Sequence, residues 1–319
     1  MSKRKSLIAL FAPMILLATQ ARAQGAGATG AQVLQFPAGS RAAGFSGAYA
    51  GATGDADVLF YNPAGAASLR LGAALAFETL VEDMTLSSLA GAVRVGKLTL
   101  GVSGLFLDAG EIAEVVPDPD FGGSTGRPTG LNVSASEAVA RLGIALPVND
   151  RLRLGAAAGF TSSSIANQSS SAPMFDLGAQ YDLSFGTIGL AVRNLGGALS
   201  AGGLEDAELP TEARLGAALQ FARADGLGVT IHSDVIARLR ESSTGVLFGA
   251  EAGYLPSAVR SFGAVARIGF SAADGADALA PLRLGAGVTL SNLAIDYTYQ
   301  SFDFFGATHR FGLRWSVAR

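Results

Sequence analysis

The chain has 319 residues, a formal net charge of −3, and 15% charged against 49% hydrophobic residues. Soluble domains carry about 25% charge, and nucleic acid would call for a basic footprint that this balance does not supply. There is no cysteine, which excludes disulfides, thiolate metal sites, a cysteine nucleophile and a lipoprotein anchor.

Lys3, Arg4 and Lys5 precede an apolar stretch from Ser6 to Thr19, and Ala21-Arg22-Ala23 follows as an A-x-A cleavage site. The layout predicts a secretory signal peptide over residues 1–23 and a mature chain from Gln24. The apolar stretch is shorter than the about 20 residues a spanning helix needs. No later run holds 18 uninterrupted apolar residues. The remaining way to cross a membrane is a closed β-barrel.

Residues 24–67 are rich in small side chains and lack apolar periodicity. Gly25 to Gly30 match GxGxxG literally, but no strand precedes them, and a dinucleotide site needs a βαβ setting. Asn62-Pro63 forces Asn62 out of the helical region, and its amide can tie down a turn. The small residues from Ala42 to Ala52 permit close approach to a glycine-bearing wall. Residues 24–67 are therefore expected to lie in the lumen as a plug.

From about Leu71 the pattern is period two, the signature of strands whose side chains alternate between faces. Leu152, Leu154, Ala156, Ala158 and Phe160 alternate with Arg153, Gly155, Ala157, Gly159 and Thr161. The last segment sets Phe311, Leu313, Trp315 and Val317 against Arg310, Gly312, Arg314 and Ser316. A sandwich would bury the apolar face; a membrane barrel turns it to lipid. Sandwich strands centre on about 5–6 residues, whereas these runs last roughly nine to twelve, close to the 9–11 of a membrane strand.

Short connections such as 95–97, 148–150 and 291–292 take turns with long ones near 109–132, 163–172, 196–210 and 271–281. That alternation is the pattern of periplasmic turns and extracellular loops. The predicted fold is all-β: a transmembrane antiparallel barrel of about fourteen strands over residues 68–319.

The inward face should carry the charges, because a lipid-facing Arg at the midplane costs about 2–4 kcal/mol. Arg141, Arg153, Arg193, Arg214, Arg267, Arg283 and Arg314 share their face with glycines, as do Glu78, Glu137, Asp176, Asp234, Glu251 and Asp296. They are expected to point into the lumen and pair across it. Catalysis is not expected: His232 lies near Asp234, but no GxSxG elbow accompanies it. Two histidines and no cysteine give no metal site, and no cofactor is expected. The stretch from Glu111 to Thr129 reads as a long acidic loop, a length associated with binding loops.

Gly39, Arg41 and Gly44 form a G-x-R-x-x-G run; Gly47 begins a Gly-Ala segment; Asp55 and Asp57 form an acidic pair; Asn62, Pro63 and Gly65 belong to an aromatic-Asn-Pro-Ala-Gly corner. In this order they resemble the N-terminal signature of the PorV/PorQ family, within the wider FadL-like group of outer-membrane barrels. Gly189 to Gly196 also looks like a mid-barrel strand of that family. The resemblance implies a fourteen-stranded barrel with an N-terminal plug in the bacterial outer membrane, exported by the cleaved signal peptide. It implies a type IX secretion-associated component that binds or shuttles exported proteins. The FadL-like alternative is a transporter of small hydrophobic compounds, which often leave through an opening in the wall. The partners to expect are outer-membrane lipids, with secreted cargo or secretion-machinery proteins in the first case and a small hydrophobic ligand in the second. No nucleic acid is expected.

Overall fold

A computed structural model describes residues 29–80, 84–166, 168–200, 206–224, 226–254, 261–272, 281–302 and 306–318. The signal peptide and the 24–28 tail called from sequence lie outside these residues, as does most of the 271–281 connection.

Fourteen antiparallel strands close into a barrel. They are β1 (Leu69–Thr79), β2 (Thr85–Val95), β3 (Leu98–Pro117), β4 (Gly126–Pro147), β5 (Leu152–Ile165), β6 (Gln168–Leu183) and β7 (Gly186–Gly196), followed by β10 (Glu212–Ala224), β11 (Leu227–Arg238), β12 (Ser243–Tyr254), β13 (Phe262–Ala272), β14 (Leu282–Leu290), β15 (Leu293–Ser301) and β16 (Ala307–Ala318). Between β7 and β10, the two-residue strands β8 (Ala198–Leu199) and β9 (Ala207–Glu208) form a small ribbon outside the wall ladder. β7 pairs directly with β10, and β1 pairs with β16 to close the ring.

Closure leaves no sheet edge unpaired, which removes the backbone cost of entering lipid. The outer face is an apolar belt. Leu75, Phe77, Leu89, Phe106, Leu142, Leu190, Leu215, Ile268, Leu284 and Ile295 are all exposed, while their neighbours in sequence point inward and are mostly buried. Tyr181, Phe185, Tyr254, Phe262 and Trp315 stand near the tight-turn end of this belt, where an aromatic girdle belongs.

Two expected loops are strands. β3 and β4 continue to Pro117 and from Gly126, so only residues 118–125 connect them, around a short 3-10 turn at Pro119–Phe121. β5 and β6 likewise run to Ile165 and from Gln168. Beyond the apolar belt no lipid enforces alternation, so the period-two signal fades while the hydrogen-bonded ladder goes on. Bulges between Asp108 and Glu111 and between Ala113 and Val115 blur it further.

The interior is filled by residues 29–68. This segment begins at the long-loop end, where Thr29 Oγ1 donates to Glu241 (2.8 Å) and the Val33 amide to Glu137 (2.6 Å). It passes one helical turn (Ser40–Ala43) and 3-10 turns at Ala56–Phe60 and Pro63–Ser68, and enters β1 at the tight-turn end. Phe45, Tyr49 and Phe60 are among its fully buried side chains.

Candidate functional site: the barrel interior

Many of the wall glycines that sequence places opposite the leucines let the inner segment touch the wall. Gly101 pairs with Gly143, Gly155 with Gly178, Gly189 with Gly216, and Gly249 with Gly269 across neighbouring strands. A Cβ at Gly178 would collide with the Asn62 amide, at Gly189 with the Ala50 carbonyl, at Gly155 with Pro63-Ala64, and at Gly249 with Phe45. Leu59 fills the space over Gly101, Ser46 that over Gly269, and Ser40 that over Gly312. The segment thus makes a full circuit of the wall.

Asn62 is its anchor. Its Nδ2 donates to the carbonyls of Ala50 (2.9 Å) and Ala179 (3.1 Å), and its Oδ1 accepts from the Ala64 amide (3.1 Å) as an N-cap. Pro63 follows at the first position of the turn, where its missing N–H costs nothing. Gly65 lies against Val58, the Ala52 carbonyl and Gln180. Gly47, at φ +79°, offers its carbonyl to Arg214, and Gly44 ends the helical turn beside Arg267 and Thr298.

The sequence predicts charges that pair across the lumen; in the structure the inner segment occupies that space and they do not reach across it. They pair along the wall and with the inner segment. Arg41 binds Asp55 (2.9 Å) and Glu251 (3.1 Å); Arg267 binds Glu251 (2.6 Å) and Asp296 (2.7 Å); Arg314 binds Asp296 (2.6 Å) and Asp55 (3.2 Å). These contacts close on themselves. Three guanidinium groups alternate with three carboxylates in one ring, with Arg41 and Asp55 from the segment and the other four from β12, β13, β15 and β16. Tyr49 adds its hydroxyl to Asp55 (2.5 Å).

The remaining wall charges fall into smaller groups. Arg214 joins Glu212 (2.8 Å) to Asp234 (3.0 Å), and Asp234 accepts the amides of Tyr49 (2.9 Å) and Ala50 (3.0 Å). Arg193 reaches Glu212 (3.4 Å) and lies, like Arg214, over the Tyr61 ring. Arg141 pairs with Asp176 (3.1 Å) and donates to Asn194 (2.9 Å). Arg153 pairs with Asp182 near the tight turns, and Arg283 donates to Gln300 (2.9 Å). Arg310, on the polar face of β16 but outside the charges named from sequence as lumen-facing, binds Glu78 and the carbonyls of Pro37 and Gly39. Its alternation partner Phe311 was the available signal.

Asp57 stands apart. It is 2% exposed, its Oδ2 has no hydrogen-bond partner, and among the described residues it makes no ion pair. It packs against Gly39, whose φ of +74° and lack of a Cβ leave room for the carboxylate. Burial, followed by the neighbouring Asp55 carboxylate, pushes the Asp57 carboxyl up to about 8, against the opposing pull of Arg314.

Two cavities differ in character. One, of about 410 Å³, opens near the tight turns between Gly51 and Thr53 of the segment and Asp182, Thr187, Gln220 and Thr230 of the wall, and is polar. His232 lines it and stacks on Phe45, with ring centroids 4.2 Å apart. The other, of about 640 Å³, is apolar and opens on the outer face. Its rim is Leu75, Phe77, Leu89, Phe106, Phe311 and Leu313; Ser87 and Gly104 leave it deep, so that the inward-facing Ala76, Ser88, Leu105, Val139 and Gly312 also line it. Directly behind, Ser88 Oγ accepts from the Gly39 amide (3.3 Å).

No protein-family model matches the chain, and no curated protein matches it in sequence. Solved structures do match in fold. The CymD monoaromatic hydrocarbon channel aligns with a TM-score of 0.59 and 14% identity, covering 88% of this chain and 98% of that one. The Ralstonia pickettii toluene transporter TbuX aligns at 0.52 and 14%, covering 87% and 98%. A Pseudomonas aeruginosa FadL homologue aligns at 0.53 and 13%, covering 87% and 97%. At such identities the shared property is the fold alone, a closed antiparallel β-barrel.

Proposed function

We propose that this protein is an outer-membrane channel for small hydrophobic compounds, exported by its signal peptide and inserted as the barrel described above. The observation that carries the reading is the apolar cavity in the wall between β16 and β4, lined from both faces of the sheet. A solute of low polarity gains about 25 cal/mol for each Å² removed from water, and this cavity offers it an apolar surface at membrane depth. Among the described residues the lumen is packed with charges and side chains, and its cavity near the tight turns is polar. A second apolar patch lies on the inward face of the projecting strands above the segment, where Ile112 pairs with Val133 and Ala135 with Ile165. Ile112 and Ile165 are exposed there. The fold neighbours named for monoaromatic hydrocarbons and toluene support the same solute class.

In this reading residues 24–67 are the plug, and Gly39, Arg41, Gly44, Gly47, Asp55, Asp57, Asn62, Pro63 and Gly65 hold it in place. The lumen-facing charges are its seat and not a polar path. The secretion-component reading rests on the N-terminal resemblance alone; recovery of secretion proteins with this barrel from outer-membrane extract would favour it.

The direct test is uptake of radiolabelled toluene by cells with and without the protein. Uptake should fall on deletion, and Ser87→Phe, which fills the wall cavity from the lipid side, should lower it severalfold while heat-modifiable gel migration persists. Equal uptake with and without the protein would overturn the reading.

A further inference from the structure

The ring of Arg41, Glu251, Arg267, Asp296, Arg314 and Asp55 is electrically complete: each cation has two carboxylate neighbours and each carboxylate two cations. Asp57 lies next to it as a fourth carboxylate with no cation left to serve it. A buried, ionised carboxylate without a partner is costly enough that the group neutralises instead. The surroundings supply no relief. From the inner segment, Asp55, Arg41, Tyr49 and Tyr61 face it; from β15, Asp296; from β16, Arg314. Arg310 of β16 is engaged by Glu78 of β1 and by the Gly39 carbonyl, and the β2 residue at Gly39 is the uncharged Ser88. Both cations that act on Asp57 are already shared between two other carboxylates.

Asp57 also sits where a small displacement matters. Its carboxylate fills the space that a side chain at residue 39 would occupy. Residue 39 is tied to β2 through Ser88 and to β16 through Arg310. An added negative charge at Asp57 repels Asp55 and Asp296 and competes for Arg314 and Arg41, the members of the ring that join the segment to the wall.

We infer that residues 29–68 are held in the barrel by a proton on Asp57 and loosen when that proton leaves. The inference concerns how the inner segment is released and holds whatever solute the barrel passes. A carboxyl group whose value is raised from about 3.8 to about 8 in the seated state gives its full stabilisation below about 4. That contribution is lost as pH rises towards 8 and levels off above it. One proton is at stake, so the ratio of seated to loosened segment should fall about tenfold for each pH unit within that window.

Hydrogen exchange of the full-length barrel refolded in detergent tests this. With rates normalised to intrinsic chemical exchange at each pH, peptides covering 40–65 should lose protection steadily between pH 5 and 8, while strands β4 to β7 keep theirs. Asp57→Asn, a neutral group of the same shape, should make protection of 40–65 independent of pH. The inference is overturned if the wild-type protection is flat, or if wild type and Asp57→Asn share one slope. Should the variant not fold, infrared spectroscopy of the wild type decides: a protonated carboxyl stretch that persists at pH 7 and disappears by pH 9 is expected, and its absence at pH 7 refutes the proton on Asp57.

Discussion

The wall and the segment inside it obtain their order in opposite ways. Each wall strand is specified locally, by an alternation that lipid enforces on one face and the packed interior on the other. The inner segment has no period of its own. Its course is set residue by residue by what the wall presents, namely a glycine, an aspartate or an arginine at the right height. A chain can therefore carry a region that looks unstructured in isolation and is among the most buried parts of the molecule.

That contrast can be broken most sharply at the charge ring. Arg314→Met removes the cation shared by Asp55 and Asp296 and leaves two buried carboxylates half compensated. Breaking a buried pair in this way costs about 3–5 kcal/mol. Protease cleavage within residues 40–65 should appear, while the barrel keeps its heat-modifiable migration; loss of both together would mean that wall and segment are one cooperative unit.

A smaller effect is expected at the glycine contacts. Gly178→Val places a branched side chain where Asn62 sits, an overpacking cost of about 1–3 kcal/mol. The same change at Gly91, where the nearest atom lies 3.5 Å away, should be nearly neutral. Comparing urea midpoints of the two variants measures the difference. Asn62→Ala should be milder than Gly178→Val. It removes a cap worth about 1 kcal/mol together with two backbone contacts, and lowers the urea midpoint of the segment without altering that of the strands.

The sequence discloses the wall far better than its contents. Phe311, Leu313 and Trp315 against Arg310, Gly312 and Arg314 is enough to place β16 and its two faces. The assignment of Arg141, Arg153, Arg193, Arg214, Asp234, Glu251, Arg267, Arg283, Asp296 and Arg314 to the inward face needs only parity. Their partners do not follow from parity. Arg41 and Glu251 are separated by 210 positions, and no local pattern states that they meet. The surplus of Asp57 is invisible for the same reason, because it appears only once the carboxylates around it, Asp55, Glu251 and Asp296, have been matched to their cations. The projecting ends of β3 and β4 look like a loop in sequence because their period-two signal fades and two bulges shift its phase, while the ladder continues.

The circuit that residues 29–68 make around the wall also constrains how the molecule comes into being. Ser40 contacts the Arg310 carbonyl, 270 positions away, and the Thr298 hydroxyl donates to the Ser40 carbonyl across 258. The part synthesised first thus waits for the part synthesised last, and contacts of such separation form slowly because the intervening chain must first be gathered. Strands β1 and β16 close the ring, and the segment inside it touches both ends of the strand order. The barrel is in this sense built around its own first residues, and it is complete only when both ends of the chain have been brought together.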